Sequence, residues 1–325
     1  MAKLNVCRFA VLVPLAAACA AAHSSSDSTF PVRNVRLIVP VPPGGSSDGM
    51  ARILSQRLGE VWPQQVIVDN RAGGGGVIGS EIVARSNPDG YTLIMQSLRF
   101  SVNPSLMKLP YDTLRDFQPI TMTAAVGNVL VVNAKSPITS VKDLIAAAKA
   151  KPQALTFASS GIGGAPHLIG EFFGMTTGVT MTHIPYKGGG PAMADLVGGN
   201  VSLSFASTTS AIGFVKAGRL RALAVSSKER SKQLPDVPTM AEAGVPNLIV
   251  RDWQGIMAPR NTPPALVDRL NRDIVKVLRD PVNQDRFASL GLDVIASTPA
   301  EFGADVASEV ARWAKVVKAA NIKVE

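Results

Sequence analysis

Short apolar runs rich in β-branched residues recur along the chain, and each is followed by a loop of Gly, Ser or Pro and then by residues with helical spacing. This alternation is typical of βαβ units, in which helices cover a parallel sheet. We expect strands at 36–41, 65–69 and 91–96, with helices at 48–61 and 79–84 between them. The first third of the chain is therefore predicted to form an α/β domain.

A second series of the same kind follows an apolar strand at 126–132, where we expect the chain to cross into a second domain. Ser140 begins a helix that runs to Ala150, because Ser is a favoured N-cap residue. The strands expected beyond that helix lie at 155–158, 180–184, 201–205 and 220–226.

The chain leaves this second series through the proline-rich segment 234–239, which suits neither a helix interior nor a central strand. Two strong amphipathic helices follow, and Thr298 begins the last of them with a capping box. We expect these helices to return to the first domain. The predicted organisation is a discontinuous domain 1 at 31–127 and 253–325, a domain 2 at 128–252, and two crossings between them.

The N-terminal segment from Met1 to Ala22 is predicted to be a signal peptide that directs the chain to the periplasm. It has basic residues near its start, an apolar run too short to span a bilayer, and small residues before the expected cleavage after Ala22. The alternative is lipid attachment at Cys19, although Ala16 stands where such sites usually have leucine. Cys7 and Cys19 both lie in this segment, so the mature chain has no thiol for disulfides, catalysis or metal binding.

The chain carries 33 Lys and Arg residues against 24 Asp and Glu residues, a formal net charge of +9. The basic residues form no dense run and aromatic residues are few, so the pattern does not indicate nucleic-acid binding. The three histidines, His23, His167 and His183, show no spacing typical of a metal site. We therefore expect no nucleic-acid partner and no metal, while attraction of anionic solutes stays open.

The segment that most favours ligand binding lies between the first strand and the first helix, at 39–48. Glycines let backbone amides turn towards a ligand, and a helix start adds unpaired N–H donors and a partial positive charge. An anion would be stabilised there; the alternative is a tight turn in which Ser or Asp caps the helix. The candidate ligand-binding residues of this first loop are Pro43, Gly44, Gly45, Ser46, Ser47 and Asp48.

An equivalent second loop, at 159–167, lies between a strand and a helix of the second domain. Two such loops at the carboxyl ends of two parallel sheets can face each other across a cleft and hold the two ends of one solute. The candidates of the second loop are Ser159, Ser160, Gly161, Gly163, Gly164 and His167. Further strand-to-helix junctions add Tyr186, Lys187, Gly188, Ser207 and Thr208.

Two short motifs are also found in enzymes. Residues 45–49 match the G-x-S-x-G pattern of serine hydrolases, but the last histidine, His183, leaves more than a third of the chain after it, whereas hydrolases place theirs late. Residues 74–79 match the dinucleotide fingerprint, but no acidic residue follows near 95–100 to hold a ribose. We therefore expect no cofactor and no enzyme activity, with a hydrolase using Ser47 as the lesser alternative.

In order and spacing, motifs along nearly the whole mature chain resemble the Bug-type periplasmic receptors of tripartite tricarboxylate transporters. Each motif alone is weak, and the resemblance rests on the set. The motifs are Arg36–Pro40 with Pro42–Gly45, Asp48 and Ala51–Arg52; Val68–Arg71 with Gly73, Gly76 and Gly79; Pro88–Leu93; Asp116–Ile120; Ser160–Gly161 with His167; Pro185–Gly188; and Leu234–Thr239 with Glu242–Gly244 and Trp253.

The resemblance implies an α/β, two-lobed periplasmic binding protein of type II, or Venus flytrap, with two parallel-type sheets flanked by helices. It implies a small carboxylate ligand, which is a di- or tricarboxylate, an amino acid or an aromatic acid, held mainly by backbone amides, hydroxyls and water of the two loops. The implied partners are the membrane permease subunits of a tripartite tricarboxylate-type transporter. The alternative is a solute sensor that feeds a membrane signalling system.

The chain departs from the family pattern at two places. Val41 stands where the family commonly has phenylalanine, and residues 98–100 add bulk and charge after the third strand. We expect Ser97 and Arg99 to be further ligand contacts, with the alternative that Arg99 points into solvent.

Overall fold

The computed structural model describes residues 1–2 and 30–322. The predicted cleavage after Ala22 and the alternative lipid attachment at Cys19 lie outside the described residues. Among the residues that the structure does describe, no helix has the length and apolar character needed to cross a membrane.

Strands and helices alternate along most of the chain. The first part contains β1 (Val35–Val39), α1 (Ser46–Val61), β2 (Val66–Asn70), a 3₁₀ turn (Gly74–Gly76), α2 (Val77–Ala84), β3 (Thr92–Ser97), α3 (Leu98–Leu106) and β4 (Phe117–Val126). The middle part contains β5 (Asn128–Asn133), α4 (Val141–Ala150), β6 (Thr156–Ser159), α5 (Ala165–Thr177), β7 (Thr182–Pro185), α6 (Gly189–Gly198), β8 (Leu203–Ser207), α7 (Thr208–Lys216) and β9 (Leu220–Val225). The last part contains β10 (Asp252–Pro259), α8 (Pro264–Arg279), α9 (Pro281–Ser289), β11 (Leu292–Val294) and α10 (Pro299–Ala319).

The strands form two sheets. A six-stranded sheet has the order β11-β4-β10-β3-β1-β2, and a five-stranded sheet has the order β7-β6-β8-β5-β9. The chain passes between the sheets twice, through Gly127 and through the segment between Val225 and Asp252. The predicted α/β class with two sheets flanked by helices is thus confirmed, while the domain boundaries at 127/128 and 252/253 stay a prediction.

Neither sheet is purely parallel, which corrects one detail of the predicted fold. β1 runs parallel to β2 and β3, and β6 runs parallel to β7 and β8. In contrast, β10 is antiparallel to β3 and β4, and β5 is antiparallel to β8 and β9. Crossover helices enforce a parallel arrangement only on the strands that they connect. β5 and β10 instead enter their sheets directly from the two crossings between the sheets.

The C-terminal helices pack back onto the six-stranded sheet, as the sequence predicts. α8 and α10 both cover β4, and the predicted capping box of Thr298 with Glu301 is present at the start of α10. α10 also touches α5 from the other sheet, where the fully buried Trp313 meets Phe172 edge to face at a centroid distance of 6.1 Å. Apolar packing therefore continues from one half of the molecule to the other behind the crossings.

Candidate functional site

A cavity of about 520 Å³, hereafter the central cavity, lies between the two sheets. The six-stranded half contributes residues 44–46, Val126 and Asp252 to its lining. The five-stranded half contributes Asn128, Ser160, Ala165, Pro166, Gly189, Gly190, Ala192, Met193, Ser204, Ala206, Ser207, Thr209 and Ser210. This volume is within the range of pockets that enclose small organic ligands.

Four helices begin at the central cavity. The N-cap residues of α1, α5 and α6 are Gly45, Gly164 and Gly188, and none of these three helix starts has a side-chain hydrogen bond to its free amides. α7 differs, because the Ser207 hydroxyl accepts a hydrogen bond from the Ser210 amide at 3.4 Å. Three sets of unpaired N–H donors, each with the positive end of a helix dipole, therefore border one cavity.

Asp48 holds the first loop together. The residue is 3% exposed, and its carboxylate accepts hydrogen bonds from the Gly44 amide at 3.0 Å, Arg52 Nε at 2.9 Å and Asn70 Nδ2 at 3.0 Å. Burial acts to raise the pKa of Asp48, but the hydrogen bonds from Arg52, Gly44 and Asn70, together with the positive charge of Arg52, hold it below its ordinary value. Asp48 does not line the central cavity, so its place in the structure is that of a support for the loop.

The second loop is fixed by two histidines. The Ser159 hydroxyl is 2.7 Å from His183 Nε2 and accepts a hydrogen bond from the Gly161 amide at 3.2 Å. His167 Nδ1 accepts a hydrogen bond from the Gly163 amide at 3.1 Å, and its ring stacks on His183 at 3.8 Å. Because Ser159 and His167 are buried and occupied in this way, the loop presents its backbone and Ser160 to the cavity.

The other predicted candidates of the five-stranded half lie around the cavity and mostly face elsewhere. The Tyr186 hydroxyl donates to Asp195 at 2.6 Å, and this bond raises the pKa of Tyr186 to about 12. Lys187 is exposed, and Thr208 is buried with its hydroxyl donating to the Gly127 carbonyl at 3.0 Å. Gly188 is the N-cap of α6 at φ +115°, a conformation that glycine adopts without strain.

Arg99 does not point into solvent. With Ser97 it lines a second cavity, of about 250 Å³, next to the first loop. Its Nη1 donates to the carbonyl of Ile162 in the second loop at 3.4 Å, and its buried Nε has no partner among the described residues. Burial lowers the pKa of Arg99. This side chain therefore connects the two halves of the molecule close to the central cavity.

The structure thus brings only part of the predicted set together. Gly44, Gly45, Ser46, Ser160 and Ser207 line the central cavity, whereas Pro43, Ser47, Gly161, Gly163 and Gly164 belong to the same loops without lining it. The sequence reasoning missed Asn128, Ser210 and Asp252, which line the cavity, and His183, which supports the second loop. Ser210 carries a usable signal, since it lies in the first turn of a helix that follows a strand.

The surroundings of Ser47 do not favour a hydrolase. Ser47 lies in the first turn of α1, and among the described residues neither His167 nor His183 forms a hydrogen bond with it. No group of three or more potential metal ligands occurs in the described part of the chain.

Acid should destabilise the chain through His183. Burial, followed by the neighbouring His167, lowers the pKa of His183 from 6.5 to about 3. The unfolded chain therefore takes up a proton on His183 below about pH 6.5 that the folded chain does not, and stability falls as the pH drops through this window. We expect the melting temperature to fall by several degrees more between about pH 7 and pH 4 in the wild type than in His183→Gln. Parallel pH profiles of the two proteins in thermal melts would contradict this role.

Comparison with known proteins gives the family. The model of the tripartite tricarboxylate transporter family receptor matches residues 50–322. Protein BugT of Bordetella pertussis (strain Tohama I) is 40% identical over 327 residues, covering 99% of this chain and 100% of that protein. A solved structure of an R. palustris protein with adipate is 36% identical with a TM-score of 0.78, covering 90% of this chain and 99% of that one. MatC from Rhodopseudomonas palustris with bound malate is 29% identical with a TM-score of 0.74, covering 89% of this chain and 100% of that one. The chain therefore belongs to the tripartite tricarboxylate transporter receptor family, a class of periplasmic solute-binding receptors and not of enzymes.

Proposed function

We propose that this chain captures a small carboxylate in the central cavity and presents it to the membrane permease subunits of a tripartite tricarboxylate-type transporter. The observation that carries the proposal is the convergence of α1, α5 and α6, whose starts have no side-chain cap. A carboxylate has two oxygens that accept hydrogen bonds from such amides, and each charge-assisted bond contributes more than a neutral one.

The arrangement of these helices also gives a reason for two lobes. α1 belongs to the six-stranded half, while α5 and α6 belong to the five-stranded half, so each half holds only part of the donors. We propose that domain 1 (31–127 and 253–325) and domain 2 (128–252) close on the ligand. A ligand that binds the closed form more tightly than the open form shifts the receptor towards closure, and a permease can recognise the closed form.

The proposal extends to the location and to the kind of ligand. The segment from Met1 to Ala22 would direct the chain to the periplasm and be removed there. Adipate and malate occupy two of the similar proteins, which supports testing dicarboxylates first.

Thermal melting of the mature chain against a panel of mono-, di- and tricarboxylates, amino acids and aromatic acids tests the proposal. A ligand at about one hundred times its Kd stabilises the folded state by about 2.7 kcal/mol, so we expect one class to raise the melting temperature by about 5 °C or more. For each acid, the matched control is the amide in which every carboxylate is replaced by a carboxamide, because it keeps the carbon skeleton and loses the negative charge. No shift with any acid, or an equal shift with its amide, would contradict carboxylate capture.

A further inference from the structure

Asp252 is the only charged side chain among the described residues that line the central cavity, and it is acidic. It is the first residue of β10 and pairs with Val126 of β4, at the place where the chain crosses between the sheets. Within the described part of the chain, its carboxylate forms no hydrogen bond and no ion pair. Asp252 is partly buried. A carboxylate that lines a cavity without a protein donor is available to accept a charge-assisted hydrogen bond from a ligand.

Asn128, just past the same crossing, is a second acceptor without a donor. Its side-chain Nδ2 donates to the carbonyl of Phe205 at 3.4 Å, and since that carbonyl can only accept, the bond sets which way the amide is turned. The residue is 1% exposed, and its Oδ1 has no partner among the described residues. The cavity therefore has unpaired donors at three helix starts and unpaired acceptors at the crossing.

We propose that the ligand is an amino acid-type zwitterion, with its carboxylate on the helix starts and its ammonium group in contact with Asp252. This inference rests on the proposed function and narrows it to one ligand class. A plain dicarboxylate would bring a second negative charge towards Asp252, whereas an ammonium group forms a charge-assisted hydrogen bond with it.

The charge state of Asp252 gives this inference a pH signature. Burial raises the pKa of Asp252 to about 7, with no charged group of the described chain adding to the effect. The nearby titratable groups have other neighbours: Arg251 with Asp305, Asp293 with Lys232, Asp48 with Arg52, Asp195 with Tyr186, and His167 with Gly163. An ammonium ligand favours ionised Asp252 and binds more tightly as the pH rises through about 7, while a plain dicarboxylate favours protonated Asp252 and binds more weakly.

Titration calorimetry with matched pairs tests the inference. The pairs are succinate and aspartate, glutarate and glutamate, and adipate and 2-aminoadipate, measured at about pH 8, where Asp252 is mostly ionised. We expect the mature wild-type chain to bind the amino member of at least one pair about tenfold more tightly than the plain member. Asp252→Asn should bring that ratio close to one. Asp293→Asn, which removes an acid outside the central cavity, should leave the ratio as in the wild type.

Three results would overturn the inference. Equal or better binding of the plain members by the wild type, or an unchanged ratio in Asp252→Asn that folds normally by circular dichroism, would leave the receptor function standing and remove the role of Asp252. Binding of no member of any pair, together with no melting shift by any acid of the wider panel, would overturn the proposed function and this inference with it.

Discussion

Replacing Ser46 with proline should weaken carboxylate binding by about tenfold to a hundredfold, because the change removes one backbone donor to a charged group from the central cavity. Ser46 is the first residue of α1, a position where proline fits a helix and where its missing N–H breaks no intrahelical bond. The preceding Gly45 is extended, with φ −83° and ψ 173°, which is the conformation favoured before proline. The helix should therefore stay intact while the cavity loses an amide.

Ser46→Ala is the matched control for this change. It removes the hydroxyl that accepts a hydrogen bond from Gln254 Nε2 at 2.8 Å, as proline also does, but it keeps the backbone N–H. The difference in Kd between the two variants, measured by titration calorimetry with the acid that gives the largest melting shift, isolates the amide. Equal affinities in the two variants would show that the start of α1 does not bind the carboxylate.

The backbone part of the site could be predicted from the sequence because it depends on local chemistry. A glycine at the N-cap has no side chain to accept hydrogen bonds from the first helix amides, so these amides stay unpaired. Both loops have this form in the structure, with Gly45 and Gly164 as the N-caps. The strands that precede them also agree closely with prediction, as β1 at Val35–Val39 and β6 at Thr156–Ser159 illustrate. Hydrophobic periodicity and turn residues are sufficient for elements of this kind.

The roles of single side chains could not be predicted in the same way. A polar residue in a loop can face a ligand or fold back on the loop, and Asp48 and His167 do the latter. Part of what decides this for Asp48 is distant in sequence, since Asn70 on β2 supplies one of its hydrogen bonds. Asp252 enters the cavity only because β10 returns to lie beside β4, a pairing that one sequence does not reveal.

Helix α3 shows how burial can decide a local structure. Residues 98–100, which depart from the family pattern, form the first turn of a helix that contains Pro104 and has few strong helix formers. Phe100 and Val102 are 2% and 0% exposed, and α10 packs against this helix. Tertiary packing therefore outweighs the weak intrinsic propensity, and it also directs Arg99 towards the second loop.

Substituting alanine for Gly255 should lower the free energy of unfolding by about 3 kcal/mol, because the site has no room for a methyl group. Gly255 lies in β10 beneath α10, where an added Cβ would overlap the ring of Phe302 and lie 2.9 Å from the carbonyl oxygen of Thr121 on β4. Phe302 belongs to α10 and the Thr121 carbonyl to the backbone of β4, so relief requires both a movement of α10 and a shift of β10 within the sheet.

Gly303→Ala, in α10 next to Phe302, is the control for the Gly255 substitution. Its Cβ would make an ordinary contact with Pro119 at 3.5 Å, and the change should stabilise the helix by about 0.5–1 kcal/mol. Urea unfolding of both variants measures the two effects, and a Gly255→Ala midpoint at or above that of the wild type would contradict the packing argument. Since Gln254 beside Gly255 donates to the Ser46 hydroxyl, a displaced β10 should also disturb the first loop. We therefore expect Gly255→Ala to weaken carboxylate binding as well, which links the packing of α10 to the geometry of the cavity.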